Sequence, residues 1–102
     1  MNHPEVKGVF KQVPIGIHDG APNFSLRVFT VNPGGYTPYH SHPWEHENYI
    51  LNGEGVLIDE EKKETPIRAG DFAIVLPGEK HQFRNTGTTD LQFICLVPKE
   101  QE

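Results

Sequence analysis

The stretch Ser25-Leu26-Arg27-Val28-Phe29-Thr30-Val31 alternates without giving either parity to water. Arg27, Phe29 and Val31 fall on one side, Leu26 and Val28 on the other, and both sides are largely apolar. A strand wetted on one face carries one polar parity, so this one reads as a strand sandwiched inside a barrel. Working outward, breakers recur along the whole chain: Pro14, Gly20, Pro22, Pro33-Gly34-Gly35, Pro38, Pro43, Gly53, Gly55, Pro66, Gly70, Pro77-Gly78, Gly87 and Pro98. They leave no gap long enough for a well-formed interior helix. Strand-like runs lie between them at 24–32, 48–51, 55–59, 72–76, 81–85 and 91–97. Short strands at regular spacing with turns between them predict an all-β sandwich or barrel.

A chain of 102 residues has room for one core, so residues 1–102 are expected to form a single domain. No internal repeat and no low-complexity linker divides it, and the first few residues and the Lys99–Glu102 tail are expected to fray. The net charge of −5, with acidic residues scattered apart from Asp59-Glu60-Glu61, argues against nucleic acid or an anionic membrane as partner. No basic-then-apolar leader opens the sequence, and no apolar run approaches spanning length. The expected location is cytoplasmic. Cys95, the single cysteine, has no internal disulfide partner, in keeping with a reducing compartment.

The chemistry lies in His40-Ser41-His42-Pro43-Trp44-Glu45-His46-Glu47 and in a second, turn-rich patch, Pro77-Gly78-Glu79-Lys80-His81-Gln82-Phe83-Arg84-Asn85. Imidazole is the commonest transition-metal ligand. His3, near the start, and His18, in the turn His18-Asp19-Gly20, read as ordinary surface histidines. The cluster reads differently. His40, His42 and His46 share strand parity, which would put three basic rings on one interior face. Unpaired buried polar groups cost several kcal/mol, and a divalent cation is their simplest common partner.

These residues resemble a known family. Gly34, His40, His42, His46 and Gly53 fall at the spacing of the first cupin motif, and Gly70, Gly78, His81 and Asn85 at that of the second. The spacer of sixteen residues between Gly53 and Gly70 is typical of compact single-domain members. The resemblance implies a cupin barrel, the double-stranded β-helix or jelly roll. His46 stands where the family's usual glutamate would be, and Glu45 and Glu47 fall on the opposite parity unless a bulge intervenes. In the second motif the usual proline position is held by Leu76, with Pro77 one place later.

The chain is similar in particular to small thermophile cupins that hold manganese with four histidines. That similarity implies His40, His42, His46 and His81 as ligands of one divalent transition metal ion. It favours manganese, then iron, with zinc, nickel or copper as alternatives. An octahedral ion would keep two neighbouring positions for water, dioxygen or substrate. The expected activity is a metal-dependent, dioxygenase-like oxidoreductase acting on a small organic molecule. The alternatives are a non-catalytic binding or sensing module and a purely structural metal. No catalytic acid–base pair emerges from spacing, and Glu45 and Glu47 read as outward surface charges.

Parity groups Arg27 with Phe29, and Phe93 with Cys95. Together with Phe83 these are the expected walls of a substrate pocket, with ordinary core packing as the competing reading. Arg27, a charge on an apolar strand, needs a partner: a substrate carboxylate if it faces inward, Glu54 or Asp59 if outward. Trp44 is expected at the rim of the site or in a dimer contact. The weakly alternating segment 6–16 commonly joins the sheet of a second subunit in related cupins, so a homodimer is expected.

Overall fold

The computed structural model describes residues 6–101. Its strands are β1 (Lys7–Ile15), β2 (Phe24–Tyr36), β3 (His46–Asn52), β4 (Glu54–Ile58), β5 (Glu64–Arg68), β6 (Phe72–Val75), β7 (Gln82–Arg84) and β8 (Leu91–Pro98). Single 3-10 turns occur at Ile17–Asp19 and Lys99–Gln101. Seven strands are hydrogen-bonded in the order β5-β4-β7-β2-β8-β3-β6, and β1 adds to β2 of the same chain. All the pairings are antiparallel, and the sheet curls into a half-barrel, the cupin jelly roll.

The period-2 pattern decides which side chains enter the barrel. Along β8, Leu91, Phe93, Cys95 and Val97 are buried, while Gln92, Ile94, Leu96 and Pro98 are half-buried on the outer side. β3 does the same with His46, Asn48 and Ile50 inward. The core gathers Val31, Ile50, Ile67, Phe83, Leu91, Phe93, Cys95 and Val97, with Val9, Phe29, Trp44 and Leu57 packed against it. Phe93 is sandwiched between two rings, its centroid 5.5 Å from that of Phe29 and 4.2 Å from that of Phe83.

Glycine shuts the end of β3 remote from His46. A Cβ at Gly53 would collide with the Asp90 carbonyl, and one at Gly55 with the Arg84 carbonyl, so the backbones cross there without side chains between them.

Four features differ from the sequence-based expectations. β5 was not among the expected strands, because Glu64-Thr65-Pro66-Ile67-Arg68 buries only Ile67. As the edge of the sheet it tolerates Pro66, which has no amide hydrogen to give a further neighbour. β2 does not stop at Pro33. It runs to Tyr36 through a bulge, advancing from the Val31↔Val9 pair to the Tyr36↔Lys7 pair while β1 moves only two residues. The bulge is held by Gly34 N–H donating to the Asn85 carbonyl (3.3 Å) and Asn85 N–H donating to the Gly35 carbonyl (3.0 Å). The tail is docked up to Gln101, with Lys99 N–H donating to the Asn23 carbonyl at 3.0 Å. Finally, His40 and His42 lie in a loop rather than on a strand, and β3 begins only at His46. The expected fraying of the first residues, His3 and Glu102 lie outside the described residues.

Candidate metal centre

The loop between β2 and β3 is fixed to the turn before β7 by backbone alone. His40 and His81 exchange N–H···O=C bonds of 3.1 and 2.9 Å, forming a one-pair bridge. One turn away, Gly78 N–H donates to the His42 carbonyl at 2.8 Å. Gly78 takes φ +78°, which costs glycine little and most residues far more. The Leu76 N–H reaches a Glu79 carboxylate oxygen at 3.2 Å, a bond that the family's usual proline would be unable to make. Loop anchoring, rather than strand parity, therefore brings the two motifs together.

The structure gathers all four rings of the sequence-derived set. Ligating nitrogens of His40, His42 and His81 lie within 4.8 Å of one another, a group able to hold a metal ion. The His46 ring is 5.1 Å from that of His42 and 5.0 Å from that of His81, and its Nε2 is 3.2 Å from the Nε2 of His81. His40 is exposed at the mouth, His42 half-buried, and His46 and His81 buried. His18 is exposed in the first 3-10 turn, apart from this group.

The second nitrogen of three of these rings is already committed. His42 Nδ1 lies 2.9 Å from the Trp44 carbonyl, and His81 Nδ1 2.9 Å from the Glu79 carbonyl. A carbonyl only accepts, so each Nδ1 carries the proton and each Nε2 presents a lone pair. His46 Nδ1 faces the Asn48 amide, with Oδ1 at 3.1 Å and Nδ2 at 2.8 Å. With Oδ1 turned to the ring, His46 also presents a bare Nε2.

In that orientation of Asn48, two bare lone pairs face each other across 3.2 Å, which is repulsive unless something positive lies nearby. A proton is a poor candidate. Burial, reinforced by neighbouring histidines, pushes the His46 pKa down to about 3, and burial pushes that of His81 down to about 4. A divalent cation suits this donor set. Turning Asn48 the other way, with Nδ2 at 2.8 Å from His46 Nδ1, lets His46 Nε2 donate to His81, which satisfies the pair without an ion.

The expected wall residues split. Arg27, Cys95 and Asn48 form one cross-strand row on the inner face. Arg27 Nη2 donates to Cys95 Sγ at 2.9 Å, and its guanidinium lies 4.9 Å from the Phe29 ring centre. Burial raises the Cys95 pKa against the pull of Arg27. Phe83, Phe93 and Cys95 belong to the buried core, with Phe29 packed against it. Glu45 and Glu47 are exposed, and their shared hydrogen bond raises the Glu47 pKa. Asn85 is a buried staple: its Nδ2 donates to the Val31 and Thr89 carbonyls at 2.8 Å each, and its Oδ1 accepts from Gly87 N–H.

One site neighbour, Asn48, escaped sequence reasoning, because its contact with the His46 ring leaves no local signal. Trp44, expected at the rim of the site or in a dimer contact, stacks on His42 at 4.2 Å and 5°, packed against the core.

A model of the cupin domain family matches residues 27–97, and the chain belongs to that family. Over 66 residues it is 46% identical to the oxalate-binding protein of Thermotoga maritima, covering 64% of this chain and 54% of that protein. The chain spans about half the length of the curated relatives it matches. Among solved structures, the polyketide cyclase RemF from Streptomyces resistomycificus superposes with a TM-score of 0.88 at 31% identity, covering 96% of this chain and 70% of that one. A predicted oxalate decarboxylase from Thermotoga maritima gives 0.81 at 32% identity, over 96% of this chain and 87% of that one. Among the described residues no helix is long and apolar enough to cross a membrane.

Proposed function

We propose that this chain is a mononuclear metal cupin in which His40, His42, His46 and His81 hold one divalent ion, and that it acts as a dioxygenase-like oxidoreductase on a small organic substrate. The observation that carries the metal reading is the group of His40, His42 and His81 nitrogens within 4.8 Å of one another, with His46 Nε2 3.2 Å from that of His81. Manganese is the favoured ion and iron the next, with zinc, nickel or copper able to occupy the same imidazoles. The bound ion would supply Lewis-acid or redox chemistry at the mouth of the barrel.

The protein's own residues do the rest. The Trp44 and Glu79 carbonyls fix the His42 and His81 tautomers, and Asn48 sets that of His46. Arg27, Phe29, Phe83, Phe93 and Cys95 wall the substrate space, with the aromatic stack excluding water. Among the described residues the buried polar side chains are Ser25, His46, Asn48, His81 and Asn85. Metal analysis of chelator-free protein should give about one ion per chain. Oxygen-electrode measurements on manganese- or iron-loaded protein with small acids and phenols test turnover, and silence across the panel removes the oxidoreductase reading.

Binding without turnover is the second reading, favoured by the 46% identity to an oxalate-binding protein. Calorimetric binding with no product formed would select it. The protein is further proposed to be a cytoplasmic homodimer of single-domain chains. Its association would use the exposed apolar residues Phe72, Ile74 and Ile15 together with β1, which pairs with β2 of its own chain here and could be exchanged between subunits.

A further inference from the structure

The tip between β4 and β5, residues 59–63, holds the one non-glycine residue of positive φ among the described residues, Lys62 at +65°. Such a backbone crowds a Cβ against the neighbouring carbonyl oxygen, and glycine takes it most easily. The turn is closed tightly all the same. Lys62 N–H donates to the Asp59 carbonyl and Asp59 N–H to the Lys63 carbonyl, each at 3.0 Å. Asp59 Oδ1 accepts from the Glu61 and Lys63 N–H groups at 2.9 Å each. A strained residue that its surroundings hold in place points to a task for its side chain.

That side chain reaches the mouth of the histidine cluster. Lys62 Nζ lies 4.0 Å from the centre of the Tyr39 ring, and Lys80 Nζ 5.0 Å from it, where the electron-rich ring attracts both ammonium groups. The Tyr39 hydroxyl donates to the Asp59 carbonyl at 2.8 Å, and Lys80 N–H donates to Glu60 Oε1 at 3.3 Å. Tyr39 adjoins His40 and Lys80 adjoins His81, the two residues joined by the one-pair bridge. The His40 ring lies 5.1 Å from that of His81, while Tyr39 beside it turns to the tip. The tip therefore grips both arms of the bridge. An isolated bridge has no ladder of its own, so contacts beside it weigh heavily in keeping it closed.

We infer that the β4–β5 tip is a clip on the mouth of the barrel, in which Lys62, Asp59 and Glu60 hold Tyr39 and Lys80 and so set the spacing of His40 and His81. Tyr39, Lys62 and Lys80 are positioning residues. The clip stands on geometry alone, and its task of retaining an ion rests on the metal reading above.

Hydrogen exchange followed by NMR on metal-free protein reads the clip directly, because the His40 and His81 N–H groups make the bridge. Tyr39→Leu should speed exchange at these two amides by about 10-fold and leave the β8 amides unchanged. Lys62→Gly should speed it by about 3-fold, yet it relieves the backbone and should not lower the thermal midpoint. Lys62→Arg restores a cation and should restore the original rates. In zinc-loaded protein, release of zinc to excess chelator should quicken in the same order. Faster release at an undiminished midpoint in Lys62→Gly separates positioning from mere stability. Where Tyr39→Leu fails to fold, Lys62→Gly and Tyr39→Phe, which loses the bond to Asp59, decide. Unchanged exchange at His40 and His81 overturns the clip, and so does a rise spread evenly over β8. Unchanged zinc release beside faster exchange removes the positioning role. Failure of the metal reading shows separately as absence of bound zinc, and exchange at the two amides then decides the clip by itself.

Discussion

The two faces of β8 and its neighbours differ in what they demand of a partner. Inward, the row Arg27–Cys95–Asn48 is polar and buried, and it leads to His46. Outward, one residue along, the row is Gln12–Val28–Ile94–Tyr49–Phe72. The next outer row adds Ile15, Leu26, Leu96 and Ile74, with Glu47 among them. Phe72 is 80% exposed, Ile74 53% and Ile15 52%, and Tyr49 and Phe72 touch at 4.9 Å. The usual arrangement, apolar within and polar without, is here partly inverted. The inner face lacks a charge to complete it, and the outer face lacks a surface to cover it. The proposed ion would complete the one, and the proposed second subunit would cover the other.

Substitutions can break this contrast from either side. His46→Ala should have the largest effect, reducing bound metal from about one ion per chain to a small fraction, while Glu47→Ala next to it leaves the stoichiometry intact. The reverse outcome in metal analysis would transfer the ligand role to Glu47. Asn48→Leu keeps the histidines but removes the group that sets the His46 tautomer, and should weaken metal binding by about 10- to 100-fold in competition titrations.

Acid should act on the inner face through its two buried histidines. His46 and His81 have folded pKa values of about 3 and about 4, against 6.5 for the free side chain. Below pH 6.5 the unfolded chain therefore binds more protons than the folded one. Stability of the metal-free protein should fall as pH drops from 7 toward 4, and denaturant midpoints that stay level or rise would contradict the assigned burial. On the outer face, Phe72→Glu should leave metal content unchanged and change monomer stability by no more than about 0.5 kcal/mol. It should shift sedimentation toward the monomer. A dimer unaffected by Phe72→Glu would place the contact elsewhere.

The all-β barrel was legible because breakers spaced the chain and because Ser25–Val31 left neither parity to solvent. β5 was not, since an edge strand needs few apolar residues and Pro66 argues against pairing. The histidines were legible as a group for a reason that turned out incomplete. His40 and His42 do not share a strand; a bridge to His81 and a bond from Gly78 do that work, and such contacts between distant segments leave no local periodicity. The Arg27–Cys95 bond joins residues 68 apart and depends on the β2–β8 register. Trp44 was expected at the site rim or in a dimer contact, but its stacking on His42 was not legible.

The glycine crossing at Gly53 and Gly55 has a consequence for traffic. With backbones in contact at that end, nothing passes between those strands, while the exposed His40 stands at the other end. A molecule approaching from the His40 side would meet the histidines first, so the proposed ion and its ligand would compete for the same approach.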